Sequence, residues 1–128
     1  MGVHNGQQHV TAAIESVLAQ TFTAFELLIV DDRSTDQTPG MLAQWAKRDA
    51  RGRVVRQEHA GLTAALNRAR ALPRGEYLAR QDADDLSRPD RFASQVDYLD
   101  AHPAIAVVAK SSSIRDPQVP QCSRPFRW

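Results

Sequence analysis

A single cysteine, Cys122, stands in a chain of 128 residues, which excludes an internal disulfide and any cysteine-based metal cluster. Long apolar runs are missing too. Leu27-Leu28-Ile29-Val30 is the longest unbroken run of Leu, Ile and Val, far short of the roughly 20 residues a membrane helix needs. No charged-then-apolar start resembles a signal peptide, so the expectation is a cytoplasmic protein, at most peripheral to a membrane. There is no internal repeat and no low-complexity segment. Neither sign of charge prevails, with 16 Lys and Arg against 15 Asp and Glu. What is present is ordinary: 42% hydrophobic and 24% charged residues, the balance of a soluble globular protein of one domain.

The small positive excess has a location. Residues 1–110 hold 13 basic and 14 acidic side chains, so the body has no basic surface for nucleic acid. Arg115, Arg124 and Arg127 against Asp116 make the remainder positive, and three of the seven prolines (Pro117, Pro120, Pro125) fall there. Composition therefore divides the chain near Lys110, giving an expected domain over 1–109 and an irregular tail over 110–128.

The body alternates helix and strand signals. Val10, Ala13, Ile14, Val17 and Leu18 form one helical face. A strand is expected at Phe25–Val30, then a helix opened by Thr38-Pro39 with Leu42, Trp45 and Ala46 as its stripe. Arg53–Gln57 reads as a weaker strand and Leu62, Ala65, Leu66 and Ala69 as a third helix. Tyr77–Arg80 reads as a short strand. A helix follows from Ser87, Pro89 and Asp90 with Phe92, Val96 and Leu99 inward, and Ile105–Ala109 reads as a last strand. Such alternation implies parallel strands joined by helical crossovers, with ligands bound beyond the strands' carboxyl ends.

Two acidic clusters fall at such ends. Asp82, Asp84 and Asp85 crowd three carboxylates after the Tyr77–Arg80 segment, and a divalent cation relieves the repulsion. Oxygen-only ligands suit Mg²⁺ or Mn²⁺ and a phosphate-bearing substrate. A calcium loop of the EF-hand type fails, because Ser87 stands where glycine is needed. A solvated acidic turn remains the bland alternative. The second cluster, Asp31-Asp32-Arg33-Ser34-Thr35-Asp36, suits either a capped turn or a carboxylate that meets a nucleobase or ribose. His4, His9, His59 and His102 are scattered, and no Ser or Cys lies in a nucleophile-elbow pattern. Arg80 reads as a structural ion-pair partner of the neighbouring cluster, ahead of the alternative of a phosphate contact.

Ala13-Ile14-Glu15-Ser16-Val17-Leu18-Ala19-Gln20-Thr21 with Phe25-Glu26-Leu27-Leu28-Ile29-Val30-Asp31-Asp32-Arg33-Ser34-Thr35-Asp36 resembles the family-2 glycosyltransferases. So does Gly75-Glu76-Tyr77-Leu78-Ala79-Arg80-Gln81-Asp82-Ala83-Asp84-Asp85 followed by Pro89-Asp90-Arg91-Phe92. The resemblance runs from about Val3 to Ala109. It implies an α/β fold: a partial GT-A, Rossmann-like three-layer sandwich with a mostly parallel sheet. It also implies a nucleotide-diphospho-sugar donor, a sugar or lipid-linked acceptor, and a Mg²⁺ or Mn²⁺ cofactor. By position, Asp32 would contact the base and Asp82 and Asp84 would form the DxD motif. Asp84, with Asp82 beside it, would hold the metal, while Asp82 would lie near the ribose or sugar.

His4-Asn5 takes the place of the family's Tyr-Asn, where a tyrosine would stack on the base and histidine offers a smaller face. Gly61-Leu62 with Asn67 resembles the segment beneath the nucleotide. Only Met1-Gly2-Val3 precede His4, so the expected first strand is largely missing, leaving an uncovered crevice and ladder groups for a partner to complete. No residue corresponds to the family's catalytic base, which lies in an acceptor half that this sequence lacks. The expectation is a donor-binding part, incomplete or inactive as this chain alone. Two alternatives stand beside it: a haloacid-dehalogenase-like phosphotransferase using Asp82 as nucleophile and Asp84 as acid/base, and a non-catalytic remnant or nucleotide-binding module.

Overall fold

A computed structural model of the chain describes residues 1–109, so the expected tail over 110–128 lies outside the described residues. Seven elements run in the order β1 (Gly2–Val3), α1 (Val10–Leu18), β2 (Leu27–Asp31), α2 (Thr38–Arg48), β3 (Gly52–Arg56), α3 (Leu62–Ala71) and α4 (Arg91–Ala101). The three strands form one parallel sheet in the order β1-β2-β3. Gly2 registers with Val30 and Val3 with Asp31, while β3 pairs with the whole of β2 from Leu27 against Gly52 to Asp31 against Arg56.

Helices cover both faces of β2, and all five of its residues are buried. Leu27 and Ile29 point to one side, into a core with Met1, Val3, Val10, Ala13, Ile14, Val17, Leu42 and Phe92. Leu28 and Val30 point to the other and meet Ala65 and Ala69 of α3. A continuous apolar run is what a strand covered on two faces requires. The stripe of α1 is completely withdrawn from water at Val10 and Ala13, and burying an aliphatic side chain of this kind contributes about 1.5–3 kcal/mol.

The local starts differ in detail from the sequence expectation. Gln37, not Thr38, precedes the first turn of α2, with Pro39 at its opening. The Thr38 N–H donates to Asp36 Oδ1 (2.9 Å), and the Thr38 hydroxyl, wholly buried, accepts from the Gly6 N–H (2.9 Å). Thr38 thus ties the loop after β1 to the start of α2. Helix α4 starts after Asp90 without a side-chain cap, and only Phe92 of its stripe is fully buried.

Two expected strands do not form. Neither Tyr77–Arg80 nor Ile105–Ala109 pairs in a ladder among the described residues. A strand exists only where a neighbour takes its N–H and C=O groups. β1 is only two residues long, so it offers few ladder groups to a further strand. A cavity of about 1130 Å³ lies between the sheet and the segment from Gly75 to Ala109, lined by Met1, Leu27, Leu28, Phe25, Phe92 and Leu99 among others. No helix among the described residues is long and apolar enough to cross a membrane.

Candidate functional site

The carboxyl ends of β1 and β2 run into two loops that hydrogen bonds stitch together. Asn5 and Arg33 both adopt left-handed backbone, at φ 52° and 58°. An asparagine accepts that conformation readily and an arginine does not, so local contacts must hold the second turn. The Asn5 N–H donates to Ser34 Oγ (2.9 Å), and the Thr35 N–H donates back to Asn5 Oδ1 (2.8 Å). Asp31 is structural: its carboxylate accepts from the Ser34 N–H (2.9 Å) and faces Arg56 Nε at 3.4 Å. Arg33 pairs with Glu58 across the same rim.

Asp32 forms the centre of this corner, at 2% exposure. Its Oδ1 accepts from Gln57 Nε2 (2.7 Å) and the Ala60 N–H (2.9 Å). Its Oδ2 accepts from the Gly61 N–H (2.8 Å), with His59 Nδ1 at 2.9 Å. The Gln57 amide, followed by the two backbone donors and the His59 ring, outweighs the desolvation that opposes ionisation and holds this carboxyl down at about 2. The loop can deliver two successive N–H groups because Gly61 takes φ +85°, a conformation costly for any side chain.

The histidines are not all scattered. His4 Nδ1 lies 2.8 Å from the Asp32 carbonyl, and its ring stacks on His59 with centroids 4.4 Å apart and planes tilted by 36°. Both rings are exposed. Sequence reasoning missed His59 and Gln57; the available signal was that both follow a strand in the repeating strand-helix unit. His4, Asp32 and His59 bring one ligand atom each within 4.8 Å of one another. They make a poor metal cage, because the Asp32 carboxylate oxygens already take four donors and both imidazole Nδ1 atoms are already engaged with Asp32.

The DxD segment sits on the other side of β1. Asp82 is half-buried and gripped at both oxygens by Arg80, through Nε (3.0 Å) and Nη2 (3.1 Å), so Arg80 is an ion-pair partner as expected. Asp82 is near enough to the buried Met1 amino group for its charge to act there, although burial dominates and lowers that group's pKa. Asp84 is exposed, and among the described residues nothing pairs with its carboxylate. The turn between them is braced by buried Gln81, whose Nε2 donates to the Asp82 and Asp85 carbonyls (3.2 and 2.7 Å). Its Oε1 accepts from Ser87 Oγ and Arg91 Nη1, both at 2.6 Å. The donor set fits a hard cation: two carboxylates at a two-residue spacing, one free and one able to exchange a guanidinium for a metal.

The family model described as glycosyl transferase family 2 matches residues 1–121. This chain belongs to glycosyl transferase family 2. EpsE of Bacillus subtilis, whose name describes a glycosyltransferase, is 36% identical over 118 residues, covering 91% of this chain and 42% of EpsE. Chondroitin synthase of Escherichia coli is 30% identical over 125 residues, or 98% of this chain and 18% of that protein. Among solved structures, S. aureus TarS 1–349 in complex with UDP-GlcNAc superposes with a TM-score of 0.73 at 26% identity, covering 80% of this chain and 30% of TarS. The mannosyltransferase PcManGT from Pyrobaculum calidifontis, in complex with GDP-Man and Mn²⁺, gives a TM-score of 0.62 at 26% identity over 77% of this chain and 30% of that one. The chain thus spans less than half the length of these relatives. Its parallel sheet and covering helices are a partial GT-A fold. Family 2 membership leaves the phosphotransferase alternative unsupported, and the Arg80 clamp on Asp82 would itself hinder a nucleophilic carboxylate.

Proposed function

We propose that this chain binds a nucleotide-diphospho-sugar donor and forms the donor side of a glycosyl transfer. The observation that carries the reading is the corner where Asp32, His4 and His59 meet beyond the strand ends, in a chain whose family also supplies a DxD segment with a free Asp84. In the reaction, an acceptor hydroxyl attacks the anomeric carbon as the bond to the diphosphate breaks. Asp84, with Asp82, would hold Mg²⁺ or Mn²⁺, which neutralises charge on the departing nucleoside diphosphate. His4 offers ring surface to the base, and Asn5 keeps the His4 loop locked to the loop after β2. Gln81, Ser87 and Arg91 hold the DxD turn in place from behind.

The test is a titration of the full chain with UDP-GlcNAc and GDP-mannose, with and without Mn²⁺. Metal-dependent binding is expected, weakened at least tenfold in Asp84→Asn. That variant should melt at the parent temperature, since Asp84 is exposed and unpaired among the described residues. Equal binding by parent and variant would reject the role of Asp84. Absence of binding to the folded parent would reject donor recognition itself.

A further inference from the structure

The two carboxylates of the DxD segment are held differently. Asp84 is exposed, and nothing among the described residues pairs with it. Asp82 gives both oxygens to one guanidinium, with Arg80 Nε at 3.0 Å and Nη2 at 3.1 Å. A forked contact of this kind is the most specific that a guanidinium makes with a carboxylate. It also covers the oxygens through which Asp82 would meet a hard cation or a sugar hydroxyl. We propose that Arg80 is a placeholder cation: it closes Asp82 in the free chain, releases it to the incoming metal and donor, and turns to the donor's diphosphate.

Arg80 can make that exchange without moving the chain. Its carbonyl accepts from Arg91 Nη2, and the next residue, buried Gln81, is bonded to the Asp82 and Asp85 carbonyls. The backbone of the turn is thus pinned from behind. The guanidinium, by contrast, hydrogen-bonds only to Asp82 among the described residues, and the side chain is 63% exposed. Turning it away breaks one ion pair and uncovers nothing in the core. An ion pair this exposed is weak, as a placeholder must be, since a buried one would shut the cation out.

Charge makes the exchange a link between two ligands. Asp82, Asp84 and Asp85 crowd together, and among the described residues Arg80 is the only cation bonded to any of these carboxylates. Arg91 lies behind the turn, where it donates to Gln81, Ser87 and the Arg80 carbonyl instead. With Arg80 in place, the excess of carboxylates attracts a divalent ion yet repels a bare diphosphate. Once displaced, the guanidinium presents two parallel N–H groups that match phosphate oxygens as they match a carboxylate. Each ligand should therefore favour the other, with Arg80 as the link. A purely structural Arg80, orienting Asp82 for the cation, would act with the opposite sign: its removal would weaken metal binding.

This inference rests on the nucleotide-sugar reading, and the experiment separates the two. Binding of Mn²⁺ to the full chain is followed by the electron paramagnetic resonance of the free ion. Binding of UDP and of GDP is followed by equilibrium dialysis at saturating Mn²⁺. Arg80→Gln should bind Mn²⁺ alone about threefold more tightly, the scale of one exposed ion pair removed. Its affinity for the better of the two nucleotides should fall by about the same factor, and its melting temperature should stay at the parent value. Arg80→Lys, a point charge that cannot span both oxygens, should shift both affinities in the same directions by less. Mn²⁺ binding that is unchanged or weaker in Arg80→Gln overturns the placeholder role, and so does an unchanged nucleotide affinity. The donor reading survives either outcome, because Asp84→Asn would still lose the Mn²⁺-dependent binding of nucleotide. A folded parent that binds neither nucleotide overturns both readings.

Discussion

Asp32 shows how much one buried carboxylate can organise around itself. Its carboxyl titrates at about 2 in the fold, against about 4 in an unfolded chain. A depressed carboxyl stabilises the fold fully above its unfolded value, and the contribution fades as pH falls from about 4 towards 2. Acid unfolding of the parent should therefore steepen in that window. Asp32→Asn should flatten it and should cost about 1–3 kcal/mol near neutrality, because an amide nitrogen would face two of the four donors. Urea unfolding of both proteins across pH 2–7 reads both effects. Gly6 offers a steric counterpart. A Cβ there would stand 2.6 Å from Cγ2 of Val3, a buried β-branched side chain that cannot swing aside. Gly6→Ala should destabilise by about 1–3 kcal/mol and should loosen the His4–Asn5 loop, measurable as a lower melting temperature.

Between the elements, polar side chains do the joining that apolar stripes do not. Gln20, just beyond α1 and 4% exposed, donates through Nε2 to the Arg88 carbonyl (2.6 Å) and accepts the Phe92 N–H at Oε1 (2.9 Å). The Thr21 N–H adds a bond to the Pro89 carbonyl (2.8 Å), and the Ser87 N–H one to Ser16 Oγ (3.0 Å). These bonds moor α4 and the DxD turn to the end of α1. Gln20→Ala leaves the buried Phe92 N–H without its partner, while the Arg88 carbonyl keeps the Arg91 N–H (3.1 Å), and should cost about 1–3 kcal/mol. Its NMR spectrum should show shifts concentrated in residues 85–95. Helix α1, strand β2 and helix α2 were legible in the sequence because a periodic stripe or a compact apolar run declares itself within ten residues. The strands expected at Tyr77–Arg80 and Ile105–Ala109 depended on a neighbour instead, and no local pattern reports whether one is there. The candidate site divides the same way. Asp32, His4, Asn5, Asp82 and Asp84 stood out by position, whereas the convergence of Gln57, His59 and Gly61 on Asp32 follows from the parallel register of β2 and β3.

For the molecule as a whole, stability is unevenly distributed. The sheet with α1, α2 and α3 holds almost all of the buried apolar side chains, while the stretch from Gly75 to Ala109 contributes Phe92 and leaves Leu78, Leu86 and Val107 largely in water. Amide exchange should therefore be slowest in Val10–Val17 and Leu27–Asp31 and faster by orders of magnitude across residues 75–109. The order of the strands has a further, kinetic consequence. Because every pairing among the described residues is parallel, that part of the sheet contains no hairpin that could form by itself. Joining Gly2 to Val30 or Leu27 to Gly52 closes a chain loop each time, with a helix inside it, and loop closure must precede any reward from the contacts it creates. During synthesis the emerging chain would hold β1 and β2 apart until α1 is in place, and β2 would remain half-covered until Arg56 leaves the ribosome. The nucleus of folding should thus be α1 with β2, and Ile14→Val should slow refolding in proportion to the stability it removes, whereas Leu42→Ala, in a helix that docks later, should mainly hasten unfolding.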